Sequence, residues 1–284
     1  MNLLVVGAGE MGRWFARTVA AGLPDPPAVA FTDADPSVAR EAAASLDDGG
    51  DEPTGDPDAA GELDTEDTEL NFGVQSARAV PTDTDETFDL VVIAVPIPAL
   101  ESAVDQYAGR ADSALVDVTG VMGRAVDAMG GAAPERERVS FHPLFAASNA
   151  PGNLAVVPDN PGPVTDEIRA ALAAAGNDCF ETTVSEHDQA METVQARAHA
   201  AILAFGLAAE PVREEFQTPV SAALFDVLET VAGNDPGVYA DIQSAFDGAE
   251  SVAEAARQIA DADHEAFTAL YRTASRETLD EESG

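Results

Sequence analysis

Leu3-Leu4-Val5-Val6-Gly7-Ala8-Gly9-Glu10-Met11-Gly12 is the stretch on which the fold turns. A short apolar run ends at Val6, and a G-x-G-x-x-G pattern leads straight into Met11–Ala21, which reads as a helix. The glycine pattern alone is common, but between a strand and a helix each glycine has a physical task. Gly7 permits the turn, Gly9 lets the backbone approach a pyrophosphate, and Gly12 lets helix and strand pack closely. The helix N-terminus attracts the anion, so Glu10 and Met11 join the three glycines as candidate cofactor-binding positions. Asp33 closes a second apolar run, Ala28–Thr32, and stands 21 residues after Gly12. A carboxylate there bonds the adenine ribose 2′-hydroxyl and repels a 2′-phosphate, which favours NAD over NADP. The plain alternative is a tight turn without a ligand and an Asp33 that merely caps. Strand, glycines, helix and acid all in register weigh against it.

Outward from this stretch, short apolar runs keep alternating with helical segments. Asp35-Pro36 opens a helix over Ser37–Leu46, Leu90–Val95 is a continuous apolar strand, and Ala114–Val118 is another. Such runs imply a parallel sheet covered on both faces, a Rossmann-type doubly wound α/β domain. Val95-Pro96 ends its strand at the same sheet edge as the glycine loop, where it would wall a cofactor site, though a proline there also simply stops a strand. Residues 47–73 hold acids, Gly and Pro with almost no large apolar side chain, and read as a disordered acidic insertion. From residue 184 the character changes. Met191, Val194, Ala198, Ile202 and Phe205 mark one apolar face of a helix over Glu186–Glu210, and further helices follow at Ser221–Ala232, Pro236–Phe246, Ser251–Asp261 and His264–Ser275. The predicted division is therefore a dinucleotide-binding domain over 1–183 and an all-α domain over 184–284.

The composition narrows the partners. Fifty-two acidic residues stand against 14 basic ones, a formal net charge of −38, and every basic residue is Arg. A disordered chain would be poorer in apolar residues than the 45 % found here, and the acids are spread along the chain rather than gathered in a tail. A folded protein with an acidic surface adapted to concentrated salt remains, since at about 1 M the Debye length falls to about 3 Å and self-repulsion is screened. Solubility at low salt is its plain rival. Nucleic acid is excluded as a partner for want of a basic footprint. Cys179 is the only cysteine, which rules out an internal disulfide and a multi-cysteine metal site; no metal site is expected. No apolar run reaches about 18 residues and Met1–Val6 is a buried strand, so the expectation is a cytoplasmic protein that does not span a membrane.

Three later segments carry a family likeness. Asp117-Val118-Thr119-Gly120-Val121, Phe141-His142-Pro143-Leu144-Phe145 and Glu186-His187-Asp188-Gln189-Ala190-Met191 follow the glycine loop in that order. Together with Thr218-Pro219 and Asp235-Pro236-Gly237-Val238-Tyr239-Ala240-Asp241-Ile242, they resemble the prephenate dehydrogenase family over nearly the whole chain. The resemblance implies a Rossmann domain followed by a helical dimerisation domain, and hence a homodimer. It implies the oxidative decarboxylation of prephenate to 4-hydroxyphenylpyruvate, with hydride passing from the ring carbinol to NAD, in tyrosine biosynthesis. His142 matches the family's catalytic histidine. A neutral imidazole suits the task, since it can accept the carbinol proton as hydride leaves. Thr119 falls at the cofactor edge and Gly120 and His199 at positions that face substrate, while His187 reads as a capping or interdomain residue and His264 as surface. The chain departs from the family in two respects. Gly120 stands where the family usually has Ser, with Met122 where it has Lys. The arginine that clamps a prephenate carboxylate falls at Thr230, and an earlier arginine at Ala222. Arg124, Arg197 and Arg213 are the candidate replacements, because a dianionic substrate meeting a −38 protein needs a positive partner. Two other readings stay open: a dehydrogenase for arogenate or another small acid on the same scaffold, and a non-catalytic NAD-sensing regulator.

Overall fold

The computed structural model describes residues 1–47 and 73–279, and over these the chain divides into two compact units, Met1–Asp188 and Gln189–Gly284. The division lies downstream of the expected one at 183/184. His187 and Asp188, midway along the helix Val184–Met191, belong to the first unit, within which their side chains bond. The acidic insertion expected over 47–73 falls on positions that, apart from its two end residues, lie outside the described residues.

The first unit is built on one eight-stranded sheet. Its strands are β1 (Asn2–Val6), β2 (Ala28–Thr32), β3 (Ser76–Ala79), β4 (Phe88–Ile93), β5 (Ala111–Asp117), β6 (Glu137–Pro143), β7 (Asn153–Asn160) and β8 (Asp178–Glu181). They lie in the order β3-β2-β1-β4-β5-β6-β7-β8. The first six run parallel with the strand order of a dinucleotide-binding sheet. These six strands are the expected parallel sheet, and beyond them the direction changes. β7 pairs antiparallel with β6 and parallel with β8, so the last two strands run against the rest. The link from β6 to β7 carries no crossover helix, and without one a parallel return is not reachable.

Period-two alternation explains why β1 reads as an unbroken apolar run. Leu3 and Val5 join the core on one sheet face with residues of α1 (Glu10–Gly22), α2 (Pro36–Asp47) and α5 (Pro163–Ala174). Leu4 and Val6 join the core on the other face, with α3 (Leu100–Tyr107) and α4 (Met122–Ala132). Each such side chain, fully removed from water, contributes roughly 1.5–3 kcal/mol. β4 stops at Ile93, short of the expected Val95. The Ala94 amide still donates to the Val6 carbonyl at 2.8 Å, after which Val95-Pro96 leaves the sheet.

The second unit is helical: α7 (Ala198–Ala208), α8 (Pro219–Ala232), α9 (Pro236–Ala245), α10 (Gly248–Asp261) and α11 (His264–Leu279). Between α6 (Val184–Met191) and α7 lies a π-helical stretch, Glu192–Arg197, where the sequence predicts one continuous helix. A π turn adds a residue to the helical repeat and shifts the phase of the side chains. Val194, expected on the apolar face, is accordingly 56 % exposed. Phe205 and Phe225 meet edge-on at 5.2 Å between α7 and α8. Thr218 caps α8, its hydroxyl accepting from the Ser221 amide, with Pro219 in the first turn. Among the described residues no helix is long and apolar enough to cross a membrane.

Candidate active site

β1, β2, β4, β5 and β6 all end at one edge of the sheet, and every candidate of the first unit lies there. Gly7 adopts φ +92°, which favours glycine, and a Cβ on it would lie 2.2 Å from the Ala94 carbonyl oxygen. A Cβ on Gly12 would lie 2.0 Å from the Gly7 carbonyl oxygen, so α1 can enter this close only with glycine at that place. Gly9 is different: a Cβ there would meet nothing within 4 Å. Its backbone therefore faces open space at the N-terminus of α1, where backbone amides and the helix dipole could hold an anion. Glu10 and Met11 form the first turn beside it. Asp33 holds this loop from the side, one carboxylate oxygen accepting the Ala8 amide at 2.8 Å and the other the Asp35 amide at 3.0 Å. Val95 flanks Gly7, and Pro96 follows it on the way out of β4.

The end of β5 is polar and buried. Thr119 gives both its amide, at 2.9 Å, and its hydroxyl, at 2.6 Å, to one oxygen of Asp117. The other oxygen of Asp117 is buried without a hydrogen-bond partner among the described residues. Burial pushes the Asp117 carboxyl up to about 6, against the pull of the Thr119 and Ser140 hydroxyls, the Thr119 amide and the nearby His187. Ser140 is its cross-strand neighbour on β6.

Two residues further along β6, His142 is buried at 7 % exposure. Its Nδ1 lies 2.8 Å from Nε2 of His187. The Nδ1 of His187 in turn lies 2.8 Å from Asp188, whose second oxygen accepts the Gly123 amide at 3.2 Å. Nε2 of His142 has no hydrogen-bond partner among the described residues and turns toward Gly120, whose Cβ, were one present, would lie 3.3 Å away. Burial, with the positive charge that His187 can carry, lowers the His142 imidazole to about 3, opposed by Asp188. The ring is thus neutral at physiological pH, with one nitrogen turned toward the sheet edge that carries the glycine loop, an arrangement able to accept a proton there.

His187 has a contact that the sequence reading did not give it. It is 3 % exposed, and its Nε2 lies behind Nδ1 of His142, one residue short of the end of the first unit. The adjacent His187-Asp188 pair was the available signal, since a carboxylate beside an imidazole commonly fixes its tautomer. Asp117 carried the weaker signal of an acid closing an apolar strand. The other candidates lie in the second unit. His199 meets Tyr239 edge-on at 4.6 Å, and its Nδ1 is buried without a partner among the described residues. Arg197 is bound to Glu192 and Thr193 on its own helical turn, and Arg213 lies over the Phe216 ring at 4.9 Å. Arg124, in the first unit, pairs with Glu101 at 3.0 Å. Of the three candidate clamps, Arg213 alone has no carboxylate partner among the described residues.

No protein-family model matches the chain. It is 32 % identical over 206 residues to the 4-amino-4-deoxyprephenate dehydrogenase of Streptomyces pristinaespiralis, a match covering 64 % of this chain and 68 % of that protein. The chain belongs to the prephenate dehydrogenase family. Solved structures agree in fold: the prephenate dehydrogenase of Aquifex aeolicus in complex with hydroxyphenyl propionate and NAD+ matches with a TM-score of 0.66, at 17 % identity, over 99 % of this chain and 94 % of that one. The arogenate dehydrogenase of Synechocystis matches with a TM-score of 0.60, at 14 % identity, over 99 % of each. The departure at Gly120 gains meaning within the prephenate dehydrogenase family, because the serine usual there would stand against Nε2 of His142.

Proposed function

We propose that this member of the prephenate dehydrogenase family is an NAD-dependent dehydrogenase that oxidises and decarboxylates prephenate to 4-hydroxyphenylpyruvate in tyrosine biosynthesis. The observation that carries the reading is the unpartnered Nε2 of a neutral, buried His142 at the same sheet edge as the glycine loop. NAD, when bound, supplies the hydride acceptor. Gly9 and the first turn of α1 would hold its pyrophosphate, and Asp33 its adenine ribose. His142 accepts the carbinol proton at Nε2 as hydride leaves the ring carbon. Loss of the ring carboxylate as CO2 makes the ring aromatic, and the proton held at Nε2 returns to the phenolic oxygen. Burial of His142 keeps bulk water and its proton away from the acceptor. Arg213 is the candidate for the substrate's carboxylate, and His199 faces the substrate in this reading.

A second reading has its own support. Gly120 offers no hydroxyl beside the base, and the Streptomyces relative is named for 4-amino-4-deoxyprephenate, which carries an amine in place of the hydroxyl. Arogenate differs instead at the side chain. Parallel assays of NADH formation with prephenate, arogenate and 4-amino-4-deoxyprephenate distinguish them. The highest kcat/KM is expected with prephenate. A preference of about tenfold or more for either alternative reassigns the substrate, and NAD binding without turnover of any of them returns the chain to an NAD-sensing role.

The assembly and the setting belong to the same proposal. Val220, Leu224 and Val227 form an exposed stripe on α8, near exposed Phe216, and Leu207 on α7 is 90 % exposed. Such a stripe on a helical unit suits burial against a second copy, hence a homodimer, in the cytoplasm of a salt-loving organism. Folding and activity are expected to rise as KCl goes from about 0.05 M to about 2 M, where screening of the −38 charge is strongest. Light scattering in the same series should give twice the chain mass. Equal stability and activity at both ends would contradict adaptation to salt, and a monomer at high salt would contradict the dimer.

A further inference from the structure

We infer that Asp188 and His187 are positioning residues that fix the tautomer of His142, so that Nδ1 carries the proton and Nε2 the free lone pair. The inference rests on the proposed role of His142 as the base, but its geometry starts elsewhere, at the N-terminus of α4. There the Gly123 amide donates to one oxygen of Asp188, and the positive end of the helix dipole favours the ionised carboxylate. A Cβ at Gly123 would lie 2.7 Å from that oxygen, so the contact exists only because the residue is glycine. The other oxygen of Asp188, an acceptor with no proton of its own, faces Nδ1 of His187 at 2.8 Å. Nδ1 of His187 must therefore be the donor, and whenever that ring holds a single proton its Nε2 is an acceptor. That acceptor faces Nδ1 of His142 at 2.8 Å, so this nitrogen too must carry the proton. The alternation leaves Nε2 of His142 with its lone pair toward Gly120. Asp117, the remaining acid near the pair, makes no hydrogen bond to either ring; its charge bears on His187 only through space. With no side chain at Gly120 to hold the ring from the substrate side, the constraint on His142 comes from Nδ1.

Asp188→Asn tests this directly. The Gly123 amide still demands an acceptor, so the asparagine oxygen stays on Gly123 and its NH2 turns to His187. The donor pattern then reverses along the chain, and Nε2 of His142 acquires the proton. In protein labelled with 15N-histidine, long-range 1H–15N spectra at neutral pH should show His142 protonated at Nδ1 in the wild type and at Nε2 in the variant. Turnover with prephenate should fall by about 10²–10⁴-fold, the usual worth of correctly placed acid–base catalysis, with KM and NAD affinity within a few-fold of wild type. Gly123→Ala, which displaces Asp188 without touching either ring, should move the same signals if Asp188→Asn folds poorly. A wild-type His142 protonated at Nε2, or an Asp188→Asn protein with unchanged tautomers, overturns the inference. The spectra need no substrate, so a wrong substrate assignment would leave turnover absent and the tautomer still readable.

Discussion

Replacing His142 with asparagine is expected to lower kcat by about 10²–10⁴-fold while NAD affinity stays near wild type. Asparagine keeps a polar group of similar reach on β6, but its NH2 cannot accept a proton and its oxygen is a far weaker base. Steady-state kinetics with prephenate, and NAD titration by fluorescence, separate the two effects. Retention of most turnover would make His142 a structural residue of the strand end. The pH dependence has a definite sign. Because burial lowers the His142 imidazole from 6.5 to about 3, the acceptor stays neutral, and His142 itself imposes no loss of rate between pH 7 and 5. An acid limb due to His142 is therefore expected far below the ordinary imidazole range. The same displacement affects stability. The unfolded chain takes up this proton near 6.5 and the folded protein resists to about 3, so the contribution is complete above 6.5 and is lost progressively as pH falls toward 3.

The second large effect is expected at Asp33. Asp33→Ala should reduce kcat/KM for NAD by roughly 10–100-fold, the worth of a hydrogen bond to a charged group, and narrow the preference for NAD over NADP. The wild-type carboxylate also fastens the Ala8 amide, so the variant loosens the glycine loop as well. The ratio of the two cofactors resolves these contributions: loosening alone lowers both efficiencies together, whereas loss of ribose recognition and of repulsion toward a 2′-phosphate changes their ratio. Equal wild-type efficiency with NAD and NADP would remove Asp33 from its assigned place.

Much of the first unit was legible because its cues are local. The apolar runs of β1, β2 and β4 are buried on both faces, and the glycines of the turn carry steric demands that no other residue meets. β3 was not legible: Ser76-Ala77-Arg78-Ala79 is a half-exposed edge strand without an apolar signature, and its pairing with β2 is set by the chain already in place. The reversal at β7 was not legible either, because strand direction follows from the connection and not from the run itself. Helix periodicity placed Val194 on the buried face, and the π turn over Glu192–Arg197 moved it, a shift that has no mark in composition. At the site, His142 came from the family likeness, whereas its partners needed coordinates. His187 and Asp188 lie 45 and 46 residues from it in sequence, and only the packing of α6 against β6 brings them within reach.

Product stoichiometry tests the central claim most directly. Prephenate incubated with the protein and NAD in molar KCl should give NADH, CO2 and 4-hydroxyphenylpyruvate in equal amounts, and the His142→Asn variant should give all three at a rate lower by the same factor. NADH without CO2, or CO2 and product without NADH, or equal rates from wild type and variant, would contradict oxidation of the ring carbinol with His142 as the proton acceptor.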